Sequence, residues 1–145
     1  MTHTADSALK AALLETDETV YVVIHLAPNG IMAACGILAQ IGEPFAALIV
    51  DRHEVTLIIP AEVVEDYHER LRDHRLSSSQ YRLITFDVVL DYPVVGFMAR
   101  IAAALAAAGV SIMPYGAFER DHLLVPVEQF ETALHTLRIL QASNS

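Results

Sequence analysis

An α+β fold of two βαββα repeats, sharing an antiparallel sheet with helices on one face, is predicted by three features of the sequence. First, one constant offset lays the second half on the first without a gap. Gly30-Ile31-Met32-Ala33 falls on Gly96-Phe97-Met98-Ala99, Ile59-Pro60-Ala61-Glu62 on Val125-Pro126-Val127-Glu128, and Leu71-Arg72 on Leu137-Arg138. Second, each half reads as strand, glycine, helix, hairpin, proline, helix. Third, apolar residues make up 54% of the chain, enough for a packed interior, while each repeat is too small to bury much alone.

The elements follow in order. Residues 1–18 form an N-terminal extension, with a helix expected over Ala5 to Glu15. The first repeat spans 19–78 and the second 79–145, linked through Asp73 to Gln80 with its three serines. Val20 to Leu26 and Arg82 to Leu90 are rich in β-branched and apolar residues and read as strands. In the second of these, Ile84, Phe86, Val88 and Leu90 alternate onto one face, the one predicted to be buried.

A helix is expected over Val94 to Ala108, where Val94, Phe97, Met98, Ile101 and Leu105 keep i, i+3, i+4 spacing. Gly109 stands where the chain must adopt positive φ to leave that helix. Two hairpins are expected next. Phe45 to Val50 and Glu54 to Ile59 flank Asp51-Arg52-His53, and Val110 to Tyr115 and Asp121 to Val125 flank a longer turn with Glu119-Arg120. Pro60 and Pro126 open the closing helices, where the missing N–H costs nothing. Their apolar stripes are Val63, Val64, Tyr67 and Leu71, and Phe130, Ala133, Leu134, Leu137 and Leu140. Strand, helix, hairpin, helix with one common apolar face is the ferredoxin-like order.

Charge and motifs narrow the function. With a net charge of -9 and basic residues spread thinly, binding to nucleic acid or to an anionic membrane is not expected. The densest basic stretch, Arg70, Arg72, His74 and Arg75, is interleaved with Glu69 and Asp73 and reads as a solvated helix end. The longest apolar run, Ile101 to Val110, is too short to span a bilayer, and Met1 to Thr16 lacks the pattern of an export signal. A lone cysteine, Cys35, fits a reducing compartment, so the cytoplasm is expected. Cys35 lies in an apolar run and reads as inert packing.

No metal and no cofactor are expected. Asp51 with His53, and His68 with His74, lack the spacing of a zinc site. His25, inside an apolar strand, reads as a hydrogen-bonded core or interface histidine. No nucleophile elbow, phosphate-binding glycine loop or HExxH motif is present, and the chain does not read as an enzyme.

Gly96-Phe97-Met98-Ala99-Arg100-Ile101-Ala102 through Leu105, then Ala108-Gly109-Val110-Ser111-Ile112, resembles the ACT domain, a regulatory module that often binds amino acids. Asp121-His122-Leu123-Leu124-Val125 with Glu128 to Leu137 looks like the branch with paired ACT repeats, to which the cytosolic arginine sensors belong. The resemblance implies a regulatory protein that binds an amino acid at an ACT–ACT interface, in a homodimer. It also implies the site: Val94, Val95, Gly96 and Phe97 at the strand-to-helix turn, with Ile112 and Asp121. Backbone N–H groups at such a turn suit a carboxylate, because a helix N-terminus carries unsatisfied donors. The family's turn carries Asp, Pro and Gly close together; here Asp91 and Pro93 precede Gly96.

Plainer readings stand beside these. Gly96 also reads as a turn glycine matching Gly30, Asp121 as a solvated hairpin residue, and Asp87 as solvent-facing. Tyr115-Gly116-Ala117-Phe118 lacks the hydroxyls that the paired-repeat relatives carry there. A structural oligomerisation module without a ligand is therefore the alternative function.

Overall fold

A computed structural model describes residues 4–42, 44–90 and 94–143. Its elements are α1 (Ala5–Ala11), β1 (Leu13–Glu15), β2 (Tyr21–Leu26), α2 (Ile31–Gln40), β3 (Ala47–Val50), β4 (Val55–Pro60), β5 (Arg75–Leu76), β6 (Tyr81–Asp87), α3 (Phe97–Ala107), β7 (Met113–Gly116), β8 (Asp121–Pro126) and α4 (Phe130–Ser143). They belong to two compact units. The described residues of Met1–Asp17 and Arg82–Ser145 form a terminal unit, and Glu18–Tyr81 form a central unit. Each is antiparallel sheet with helical segments on its apolar face, the α+β, ferredoxin-like class that the sequence predicts.

In the central unit β4 lies between β3 and β2, and β5 pairs with the later part of β2 at Ile24 and His25. Val22, Ile24 and Leu26 alternate toward the core with Val55, Leu57 and Ile59, and Ala34 and Ile37 of α2 cover them. The β3–β4 turn is held by Asp51, whose Oδ1 accepts from the amides of His53 (2.7 Å) and Glu54 (2.9 Å). Those two bonds hold its pKa below the ordinary carboxylate value.

The helix expected after Pro60 is replaced by two 3₁₀ turns, Ala61–Val63 and Glu65–Tyr67. Val63-Val64 are β-branched and disfavour a regular helix. The stripe still packs: Leu71 is buried, and Val63, Val64 and Tyr67 lie against the core. Cys35 is exposed rather than packed, because α2 turns Ala34 and Ile37 inward.

In the terminal unit β6 pairs with β1 and neighbours β8, which pairs with β7. Ile84, Phe86, Leu123 and Val125 form the sheet side of a core closed by Leu9, Ile101, Leu105, Phe130, Ala133, Leu134 and Leu137. The helix expected over Ala5 to Glu15 stops at Ala11, and Leu13–Glu15 pair with β6 instead. β6 offers unpaired backbone groups that a strand satisfies and a helix cannot. Gln141 of α4 donates to the carbonyls of Leu9 (3.0 Å) and Ala12 (2.7 Å), capping α1 where it ends.

Several further boundaries differ from expectation, among them β7, which runs Met113–Gly116 rather than Val110 to Tyr115. β6 ends at Asp87 rather than Leu90, because Val88 N bonds back to Phe86 O (2.9 Å) and Leu90 N donates to Glu119 O (2.7 Å). The following helix begins at Phe97 rather than Val94, because Gly96 has φ 89°, outside the right-handed helical region. Its other end matches the sequence. Gly109, at φ 75°, donates to Ala106 O, and Val110 N donates to Leu105 O, a Schellman stop.

Candidate functional site

The described amides at the start of α3 set the character of the site. Gly96 caps the helix through its backbone alone: its carbonyl accepts from Arg100 N (3.1 Å), and it has no side chain to turn inward. Phe97, Met98 and Ala99 have no intrahelical acceptor for their N–H groups, as in any first turn. The aligned peptide dipoles add a partial positive charge at this point.

The opposite wall comes from the β7–β8 turn. Ala117 N donates to Arg120 O (2.8 Å), which closes the turn, and Leu90 N ties the chain leaving β6 to Glu119 O. Together these segments enclose a cavity of about 330 Å³, with Leu90, Val94, Gly96, Phe97, Met98 and Ala99 on one side. Ala117, Phe118, Glu119, Arg120 and Asp121 line the other.

The charges there are unequal in their satisfaction. Arg120 Nε donates to Asp87 Oδ1 (2.8 Å), and its Nη1 donates to Glu119 Oε2 (3.3 Å). Asp87, off the core face as expected and partly exposed, is also ion-paired, and Arg120 holds its pKa down. Asp121, the first residue of β8, sits opposite Gly116, where a side chain would stand 3.6 Å from Asp121 Oδ1. Among the described residues no donor hydrogen-bonds the Asp121 carboxylate. Partial burial raises its pKa, an effect the neighbouring His122 opposes. His122 in turn contacts Thr85 Oγ1 through Nδ1 at 2.8 Å, and burial lowers its pKa.

Of the residues singled out in the sequence, Val94, Gly96, Phe97 and Asp121 line this cavity. Val95 is 86% exposed and borders a shallow groove with Ala99, Ala103 and Leu140. Ile112 packs against the terminal unit's core. Asp91 and Pro93 lie outside the described residues. Arg120, Glu119, Leu90 and Met98 were not singled out. The one signal for Arg120 was Asp87, a carboxylate in an apolar strand that needed a partner.

Chemically, the cavity is lined on one side by the first residues of α3 and on the other by Asp121, whose carboxylate has no hydrogen-bond donor among the described residues. Its described lining contains no serine, threonine, cysteine, histidine or lysine. Among the described residues no group of three His, Cys, Asp or Glu could hold a metal ion, and no helix is long and apolar enough to cross a membrane.

Residues 77–138 match the family model described as an ACT domain. No curated protein matches the chain. Among solved structures, a Vibrio cholerae protein of unknown function, described as a possible transport protein, is 26% identical with a TM-score of 0.70. The match covers 92% of each chain. The ligand-free regulatory subunit of aspartate kinase from Thermus thermophilus is 16% identical, with a TM-score of 0.68 over 86% of this chain and 94% of that one. A protein from Agrobacterium tumefaciens is 17% identical, with a TM-score of 0.64 over 88% and 87%. At 16% and 17% identity the likeness is one of fold.

Proposed function

With an ACT domain in residues 77–138, we propose that the protein is a regulatory module that binds an amino acid in the terminal-unit cavity. The observation that carries this reading is the pairing of the open α3 N-terminus with the unpaired Asp121 carboxylate across one cavity. A zwitterion matches both ends: its carboxylate meets the amides of Phe97 to Ala99, and its ammonium meets Asp121. Aspartate-kinase regulatory subunits share the fold, which supports a regulatory rather than catalytic role.

A ligand regulates only by favouring one arrangement over another. We place that arrangement at a homodimer interface beside the turn, where exposed Val95 and the alanines of α3 adjoin the cavity. Light scattering should then give twice the chain mass at micromolar protein; a monomer mass would contradict the dimer.

The direct test of binding is a thermal-shift screen against the standard amino acids. At least one should raise the melting temperature in proportion to its saturation. A flat response to all of them would leave the oligomerisation module as the function.

A further inference from the structure

In the central unit a row of polar residues crosses three strands. β2 places His25 directly opposite Thr56 of β4 and Arg75 of β5. Cross-strand partners project to the same face of a sheet. Ile24 and Leu26, on either side of His25, point into the core, so this row lies on the face away from α2. Of the core or interface histidine expected from sequence, the core reading does not hold: the side chain is 36% exposed, and Nε2 lies 3.8 Å from Glu54 Oε2. The row borders a hollow of about 310 Å³, with Leu76 and Val23 among its walls.

Arg75 is held in place by its surroundings. Asp73 adopts φ 57°, a left-handed turn that aspartate tolerates better than most residues, and turns the chain into β5. His74 Nδ1 bonds to Leu71 O. Beyond β5, Ser77 N donates to Val23 O (2.9 Å), while its hydroxyl accepts from Val23 N (3.3 Å) and donates to Ser79 O (2.7 Å). The Ser77 hydroxyl is therefore already engaged, and its work is to fasten β5 to β2.

The guanidinium is not engaged. Among the described residues no carboxylate pairs with Arg75, whereas Arg100 pairs with Asp6 and Arg120 with Asp87 and Glu119. In a chain of net charge -9 this leaves a local positive site, with imidazole and hydroxyl donors next to it. Glu54 stands near the imidazole yet makes no ion pair with Arg75, so the guanidinium fork stays available.

We propose that the row Arg75–His25–Thr56 is a second binding site, for a small oxyanion, either a carboxylate or a phosphate. Arg75 supplies the charge and a two-pronged donor that fits either group, and His25 and Thr56 supply further donors. The site is independent of the terminal-unit cavity and stands whether or not that cavity takes an amino acid.

The test is titration of the isotope-labelled full chain with inorganic phosphate and, separately, with succinate, followed by amide shifts. One anion or both should move the amides of Thr56 and of Arg75 to Ser77, and the preferred one identifies the source of the oxyanion. Arg75→Gln should weaken binding about tenfold or more, and Arg75→Lys by less, since it keeps the charge and loses the fork. His25→Gln provides a second variant with a smaller loss. No shift with either anion, shifts centred on Phe97 to Ala99, or undiminished affinity in Arg75→Gln would each overturn the site.

Discussion

Both units turn from a strand into a helix at a glycine, but the two glycines answer different demands. Gly30 has φ −81°, which any residue can adopt, yet a Cβ there would stand 3.0 Å from Leu26 Cβ. Gly96 has φ 89° with nothing within 4 Å of a Cβ. One turn needs the space and the other needs the backbone angle. Close packing at Gly30 serves the central core, since Leu26 is part of it. Gly96 itself lines the cavity, and its angle sets where α3 begins. A repeat seen in sequence as one glycine on another therefore joins a position fixed by packing to one fixed by its backbone angle.

The largest effect should come from Gly30→Val. Leu26 Cβ is fixed to its strand and cannot withdraw, so overpacking should cost about 1–3 kcal/mol, read as a lower denaturation midpoint. Whatever amino acid binds should still bind the folded fraction with unchanged affinity. A variant of normal stability that had lost its ligand response would move the site to the central unit and break the comparison.

Gly96→Ala comes next. Forcing alanine to positive φ should cost roughly 1–2 kcal/mol despite the free space around it. Here, unlike at Gly30, ligand affinity should fall together with stability, because relaxing the angle re-aims the α3 amides. A stability loss with intact binding would make Gly96 a turn glycine and nothing more.

Asp121→Asn should have the smallest effect on stability, and in the opposite direction. Burial raises the Asp121 pKa, so the folded state holds its proton more tightly than the unfolded chain does. The contribution of that proton is fully present below the ordinary carboxylate pKa and is lost as pH rises through the raised value. Without ligand, Asp121→Asn should therefore melt slightly higher than the parent at neutral pH, and the gap should close on acidification. Melting curves across that range check it; a variant less stable at neutral pH would show that the carboxylate has a structural partner.

Local chemistry was legible in the sequence, and long-range pairing was not. The alternation of Ile84, Phe86 and Val88, the Gly109 stop and the α4 stripe all rest on near neighbours, and all appear in the structure. Leu13–Glu15 continue an apolar, alanine-containing run that reads as helix until β6 supplies a strand partner far along the chain. Likewise, nothing adjacent to Asp87 reveals that Arg120 is its partner, so only the oddness of a carboxylate in that strand was visible. For the candidate site, sequence marked Gly96 and Asp121. It could not show that Val95 turns outward or that Ile112 joins the core.

The most direct measurement is a calorimetric titration of the parent chain and Asp121→Asn with the amino acid that gives the largest thermal shift. Loss of a hydrogen bond between charged groups, worth about 1.5–3 kcal/mol, should weaken binding by roughly ten- to a hundredfold while the variant stays folded. Equal affinities for the two proteins would remove Asp121 from the site and contradict the account.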